Sequence, residues 1–304
     1  MTHQSHSGLV RYQLGVVPTR DDDATDGALR RLCTALGREL NALVLPFKAT
    51  SHAALAHALE SRAVQLAWCS PTMLTTEAER QAAVPFVSSV REGTDRYHAV
   101  LFSDAKGRYR SLRLLKGARA AWVARSSAAG YLLPRAALAE SGLSPSGLFG
   151  SETFYYTHGA VADAVFEGRA DVGATFAVFQ GCDPGRPIVR APFLGVEGRE
   201  AHVLQVSGPI PSDYVAASSS LPAEHVDVFR RAFLDLHEQP ALREAAETIF
   251  GTSRFATFTA ASGAELTALL DSLAKAEPPS SRPREVGTPP LGTSLQNLKK
   301  RPPR

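Results

Sequence analysis

LVRYQLGVVPTRDDDATDGALRRLCTALGRELNALVLPFKATSHAALAHALESRAVQLAWCSP, residues 9–71, alternates two kinds of apolar rhythm. Leu9 to Val17 is a short apolar run stopped by Pro18, which reads as a strand. An acidic turn, Asp21 to Asp23, then leads into a helix in which Leu29, Leu32, Cys33, Leu36 and Leu40 recur at helical spacing and give one buried face. Leu43 to Phe47 reads as a second strand, and Ser51 is placed to cap a helix over Ala53 to Ser61, whose Leu55 and Leu59 lie one turn apart. Val64 to Cys69 is a third strand, followed by Ser70, Pro71 and another helix. Strand and helix alternating with short connections predict an α/β fold, its sheet mostly parallel and covered by helices.

The same alternation continues outward from this stretch. Strands are predicted at Tyr97–Ser103, Ala120–Ala124, Phe149–Tyr155, Val172–Phe176 and Ala201–Val206, with helices at Ala129–Glu140 and Gly159–Glu167 between them. Helices follow at Pro222–Leu236, Pro240–Phe250 and Gly263–Ala274, and Val226, Phe229, Phe233 and Leu236 form a stripe expected to face a core. Two lobes are expected: residues 9–96 with 207–274, and residues 97–206. A polar leader over 1–8 and a tail over 275–304 with seven prolines are expected to be disordered, because neither holds enough apolar surface to offset chain entropy.

At 304 residues, 44% apolar and 21% charged, the chain has the composition of a globular protein. No stretch approaches the roughly 18 consecutive apolar residues of a membrane span, and Met1 to Gly8 shows no basic-then-apolar signal pattern. As written, the product is expected in the cytoplasm, or in the periplasm or outside the cell if the start site is misassigned. Cys33, Cys69 and Cys182 are an odd number without a C-x-x-C pair, so they are expected to be buried thiols. The formal charge of +3 resolves into a tail with seven basic and two acidic residues from Lys275 onward, and a body with 26 basic against 28 acidic. A near-neutral body speaks against a nucleic-acid partner.

Several chemistries lack their residues. No Gly-Lys dipeptide exists for a P-loop, no G-x-G-x-x-G follows the first strand, and no G-x-S-x-G elbow occurs. His52 and His57 are five apart, and His3 and His6 sit in the leader, so no metal or cofactor is called for. The cations Lys106, Arg108, Arg110, Arg113, Lys116 and Arg119 crowd fourteen residues, yet the interleaved Leu112, Leu114 and Leu115 read as a solvated loop edge.

Local patterns, in order and spacing, carry a resemblance. Tyr12 to Pro18 (YQLGVVP) looks like an opening strand. Pro46 to His52 (PFKATSH) and Gln65 to Pro71 (QLAWCSP) look like a second and third strand with ligand loops. Leu112 to Arg119 (LRLLKGAR) is similar to an entry to a second lobe. Ser126 to Pro134 (SSAAGYLLP) resembles an S-S-T-S-G-Y-x-x-P anion loop. His158 to Val172 (HGAVADAVFEGRADV) resembles H-x-x-x-x-A-V-x-x-G-x-A-D-V, and Gly208 to Pro211 (GPIP) a return crossover. Over roughly Leu9 to Ala274 the chain thus resembles the phosphate/phosphonate-binding family of type II periplasmic binding proteins, the receptors of ABC importers.

The resemblance implies a two-lobed binder, with mixed, mostly parallel sheets, that closes on a small anion, is monomeric by default, and hands its ligand to an ABC permease or signals to a partner. It places the oxyanion on N–H groups at a helix N-terminus, where unpaired donors and the helix dipole favour negative charge. Ser127, Ala128 and Ala129 occupy that loop, with alanine at two places where hydroxyls are expected; Ser126 or Ser127 also suits a plain helix cap. His158 precedes a helix and can donate to the anion or cap locally. His52 stands where a tyrosine is usual, or is a solvated residue at a helix start. Ser70 offers hydroxyl and amide at a strand end, and Tyr97 lines the cleft or sits in the core. Residues 174–180 carry no carboxylate, which disfavours a cationic ligand tail. The competing reading is a cytosolic enzyme on the same scaffold, of the thiamine-pyrimidine or menaquinone biosynthesis type, but no catalytic constellation is readable.

Overall fold

The computed structural model describes residues 10–18 and 22–276. The expected leader lies outside the described residues, as does the expected tail apart from its first two positions, which continue the last helix. In chain order the elements are β1 (Arg11–Val16), α1 (Asp23–Leu40), β2 (Leu43–Lys48), α2 (His52–Glu60), β3 (Leu66–Cys69), α3 (Glu77–Gln81) and β4 (Ala83–Val90). Next come β5 (Arg96–Asp104), β6 (Arg119–Trp122), α4 (Leu133–Glu140), β7 (Ser151–Phe154), α5 (His158–Phe166), β8 (Val172–Phe179), β9 (Ile188–Arg190) and β10 (Ala201–Pro211). The chain closes with β11 (Tyr214–Ser218), α6 (Ala223–Leu234), α7 (Pro240–Phe250), β12 (Arg254–Thr257) and α8 (Ala260–Ala276).

These strands form two sheets, one ordered β12-β4-β11-β3-β1-β2 and one ordered β10-β5-β8-β6-β7 with β9 on β8. The chain passes from the first to the second between β4 and β5 and returns between β10 and β11. Both sheets are mixed, but they are not mostly parallel. Only β1 with β2 and β3, and β6 with β7 and β8, run parallel; the strands next to each crossing run antiparallel. That correction follows from β4, β11 and β12, which apolar rhythm did not reveal. β4 contains Pro85, accommodated where its pairing with β11 shifts register, and β12 is only four residues long.

Local chemistry sets the element ends. Asp22 caps α1 by accepting from the Thr25 N–H, and Asn41, in the left-handed region, ends it. Along β1, Tyr12, Leu14 and Val16 enter a core with Leu29, Leu32 and Leu36 of α1 and with the expected stripe Val226, Phe229, Phe233 and Leu236. Gly15 faces the opposite side, where a Cβ would stand 2.4 Å from Leu55, so glycine is what lets α2 pack down on the strand. A second core covers that side, two more flank the second sheet, and a fifth apolar cluster joins strands and helices of both lobes.

Cys33 and Cys69 are buried, and burial pushes the Cys33 thiol up to about 12. Cys182 is only half-buried, against expectation, because it lies in a left-handed turn after β8 rather than in an element. All six cations of the 106–119 run are exposed.

Candidate functional site

β6 points its C-terminal end toward the first lobe, and the chain turns there through Arg125 and Ser126 into a π-helical turn, Ala128–Leu132, that continues into α4. Turns of this kind are rare and frequent at functional sites. Ser127 caps it: its Oγ accepts from the Gly130 N–H at 3.0 Å, and its carbonyl accepts from the Leu132 N–H at 3.0 Å. Among the described residues nothing accepts from the N–H groups of Ala128 and Ala129. Gly130 has no substitute, since a Cβ there would lie 2.4 Å from Val123 Cγ2 and 2.5 Å from its Cβ. The turn therefore rests directly on the strand end.

β7 ends beside it. Tyr155 and Tyr156 donate their N–H groups to the carbonyls of Trp122 and Val123, both at 2.8 Å, which stitches this loop to the β6 end. Tyr156 takes a left-handed backbone, φ 64°, and is 60% exposed. Thr157 caps α5, accepting from the Ala160 N–H at 3.1 Å, so His158 is the first residue of the helix. Its Nδ1 lies 2.9 Å from the Thr175 hydroxyl of β8, and its ring meets Phe176 edge-on at 5.0 Å. Burial pulls the imidazole down to about 4, so it is neutral at ordinary pH. In the tautomer whose Nδ1 accepts from Thr175, Nε2–H remains as a donor.

Phe176 is the hub of this rim. Besides His158, its ring meets Tyr97 at 6.3 Å and packs against the cluster containing Ala128 and Ala129. Burial, with Asp213 nearby, pushes the Tyr97 phenol up and keeps it neutral. The Arg190 guanidinium lies 6.0 Å from the Phe176 ring centroid, and no carboxylate pairs with it among the described residues. The structure thus gathers Tyr97, Ala128, Ala129 and His158 around one aromatic ring, with Ser127 capping the turn that carries the two alanines. Phe176 and Arg190 were not singled out from sequence. The only signal for Phe176 was its place in the carboxylate-free 174–180 stretch, and Arg190 has no pattern of its own.

The first lobe presents its strand ends to this rim. Ser70 directly follows β3 and is half-buried, and Thr72 Oγ1 donates to the Ser126 carbonyl at 2.9 Å, so the two lobes touch here. His52 is exposed at the start of α2, after β2 at the sheet edge, with β1 between it and the β3 end that carries Ser70. Two shallow concavities lie elsewhere, one of about 260 Å³ between α1, α6 and α7 and one of about 290 Å³ beside Arg108 and Arg119, and the rim residues line neither. Among the described residues no cluster of His, Cys, Asp and Glu is able to hold a metal, and no helix is long and apolar enough to cross a membrane.

Two mixed sheets joined by two crossings, with helix N-termini and strand ends at the meeting rim, define the type II periplasmic-binding-protein fold. Solved structures agree. XAC2383 from Xanthomonas citri bound to chloride ion is 20% identical with a TM-score of 0.68, covering 88% of this chain and 98% of that one. PhnD1 from Prochlorococcus marinus in complex with methylphosphonate is 14% identical with a TM-score of 0.65, covering 87% and 97%. The binding protein component of an ABC phosphonate transporter from Pseudomonas aeruginosa is 17% identical with a TM-score of 0.60, covering 88% and 97%. The family model described as "ABC transporter, phosphonate, periplasmic substrate-binding protein" matches residues 14–265, and the chain belongs to that family.

Proposed function

We propose that this protein captures a small oxyanion, of the phosphonate or phosphate class with a neutral or apolar tail, by closing residues 97–206 against residues 9–96 and 207–274, and passes it to an ABC permease. The observation that carries this reading is the convergence of two helix starts on Phe176, one with open N–H groups at Ala128 and Ala129, the other with a neutral His158. Oriented N–H donors at helix starts favour an anion without needing a counter-charge, and Arg190, which no carboxylate pairs with among the described residues, adds a cation beside the ring. Tyr97 and Phe176 form an apolar wall suited to a short tail such as that of methylphosphonate. Ser70 and Thr72 cover the anion from the first lobe.

Closure pivots on the two crossings. Arg91 on one strand end binds Asp213 at 3.2 Å and the Phe250 carbonyl at 2.7 Å, and the Ser212 N–H donates to the Asp95 carbonyl at 2.8 Å. The segments there are tied to one another while the lobes turn about them.

Calorimetric titration with methylphosphonate, phosphate, alkyl sulfonates and carboxylates tests the reading. Binding of at least one phosphorus or sulfur oxyanion, stronger than any carboxylate and without chemical change of the ligand, is expected. Silence across the panel would remove it, and turnover of the bound compound would move it to the enzyme class. The family's description is periplasmic, so cell fractionation separates delivery to a permease from a cytoplasmic sensing role.

A further inference from the structure

α8 carries two apolar stripes that serve different lobes. Leu266 and Leu270 lie in the core built on α2, β3 and β11 of the first lobe. Leu269 and Leu273, on the neighbouring face, lie in the cluster that holds Ala128, Ala129 and Leu133 of the second lobe with Ala99 and Ile210. One turn earlier, Glu265 accepts from Nε and Nη2 of Arg96, both at 2.8 Å, at the start of β5 where the chain crosses between lobes. The helix is therefore fastened at the crossing and lies behind the turn whose N–H groups are open.

We infer that α8 is a working part of the ligand site, with Leu269 and Leu273 as positioning residues that hold the Ala128–Ala129 turn in its donating geometry. This rests on the reading of that turn as the anion's cradle. Ala128 and Ala129 are 5% and 2% exposed, and their methyl groups are spent on packing. What they offer a ligand is main-chain N–H, and where those groups point is set by what the methyls rest on. Hydroxyls at these two positions would be buried in an apolar cluster, which is costly without partners. Alanine at 128 and 129 and leucine at 269 and 273 are thus one packing solution, and the cradle's geometry depends on a helix from the far end of the chain.

The test is titration of the full chain with methylphosphonate and with inorganic phosphate. Leu269→Ala and Leu273→Ala are expected to weaken binding about tenfold, the scale of displaced rather than deleted donors, while Leu273→Met, which refills the space, restores it. Leu32→Ala, a cavity in the first lobe's other core, controls for stability: its unfolding midpoint falls comparably and its affinity does not change. Folded Leu269→Ala and Leu273→Ala proteins with wild-type affinity would overturn the inference, as would Leu32→Ala weakening binding equally. If either alanine variant fails to fold, Leu273→Val makes a smaller gap with the same expected direction and the same overturning result. Wild-type protein that binds neither anion removes the cradle itself, a failure distinct from an α8 that is merely structural.

Discussion

The rims of the two lobes are built from the same material, strand ends that feed helices, but they are organised differently. In the second lobe the ends of β6 and β7 are laced together by backbone bonds from Tyr155 and Tyr156, and the Tyr97 and His158 rings of β5 and α5 meet Phe176 of β8. In the first lobe Ser70 and His52 follow strands separated by β1, and among the described residues the hydrogen bond that reaches the rim from its strand ends is the one the Thr72 hydroxyl donates to the Ser126 carbonyl. A preorganised rim facing a sparse one implies a division of labour. On the proposed reading, the second lobe grips and the first covers.

The most damaging way to test that division is to lift the gripping turn off its strand. Gly130→Ala places a methyl 2.4 Å from Val123, so the turn must shift and both open N–H groups move with it. At roughly 1.5–3 kcal/mol for each charge-assisted hydrogen bond, losing two is expected to weaken anion binding by ~100-fold or more, read by calorimetry. A folded Gly130→Ala protein with near-normal affinity would show that the grip lies elsewhere.

Next in size is His158. Removing the ring in His158→Ala deletes a donor beside Phe176, and about tenfold weaker binding is expected. The same residue makes a pH prediction with a definite sign. Its folded-state value of about 4 lies below the ordinary histidine range, so between roughly pH 6.5 and 4 the unfolded chain takes up the proton first. Stability is therefore expected to fall as pH drops through that window, with His98, lowered by burial as well, adding in the same direction. Denaturant melts from pH 7 to 4.5 should show a shallower decline in His158→Ala than in wild type, and an unchanged slope would mean the ring is not held neutral.

The contrast between rims also explains what was legible in the sequence. Leu29, Leu32, Leu36 and Phe229 betray their faces by period alone, because one helix side meets one core. β4 and β12 were invisible because Pro85, Ser88 and Ser89 and a four-residue span give no rhythm, and pairing with β11 and with each other makes them strands. At the proposed site, Ser127 and His158 stand out through the resemblance of their local motifs, and their caps and helix starts are local as well. Phe176, Arg190 and the second stripe of α8 act through partners far away in sequence, and Gly130 matters through a Cβ it lacks. The local trace is faint: Gly130 shows only as the glycine of the matched loop motif, and Phe176 only as a member of a carboxylate-free stretch.

On the covering side a smaller effect is expected. Thr72→Val keeps shape and removes only the hydroxyl that meets the Ser126 carbonyl. A neutral hydrogen bond contributes about 1 kcal/mol net, so affinity should drop by roughly fivefold at most, chiefly through faster release of ligand from a less firmly closed protein. Stopped-flow release that is unaltered would make the contact incidental to closure.

His52 should matter least, and that expectation separates the two rims most cleanly. Resemblance places it at a ligand position, but the structure puts it exposed, at the first residue of α2 behind an edge strand, with β1 between it and the end of β3. Ser51, not His52, caps that helix by accepting from the Ala54 N–H at 3.1 Å, so removing the imidazole leaves the cap intact. His52→Ala is accordingly expected to change anion affinity by less than about twofold, within the range of surface substitutions away from caps and cores, and to leave its pH dependence unaltered. A tenfold loss, or a binding profile that flattens between pH 6 and 8 in the variant, would mean that the first lobe swings His52 into the closed site. The covering rim would then be a gripping rim as well, and the asymmetry between the lobes would disappear.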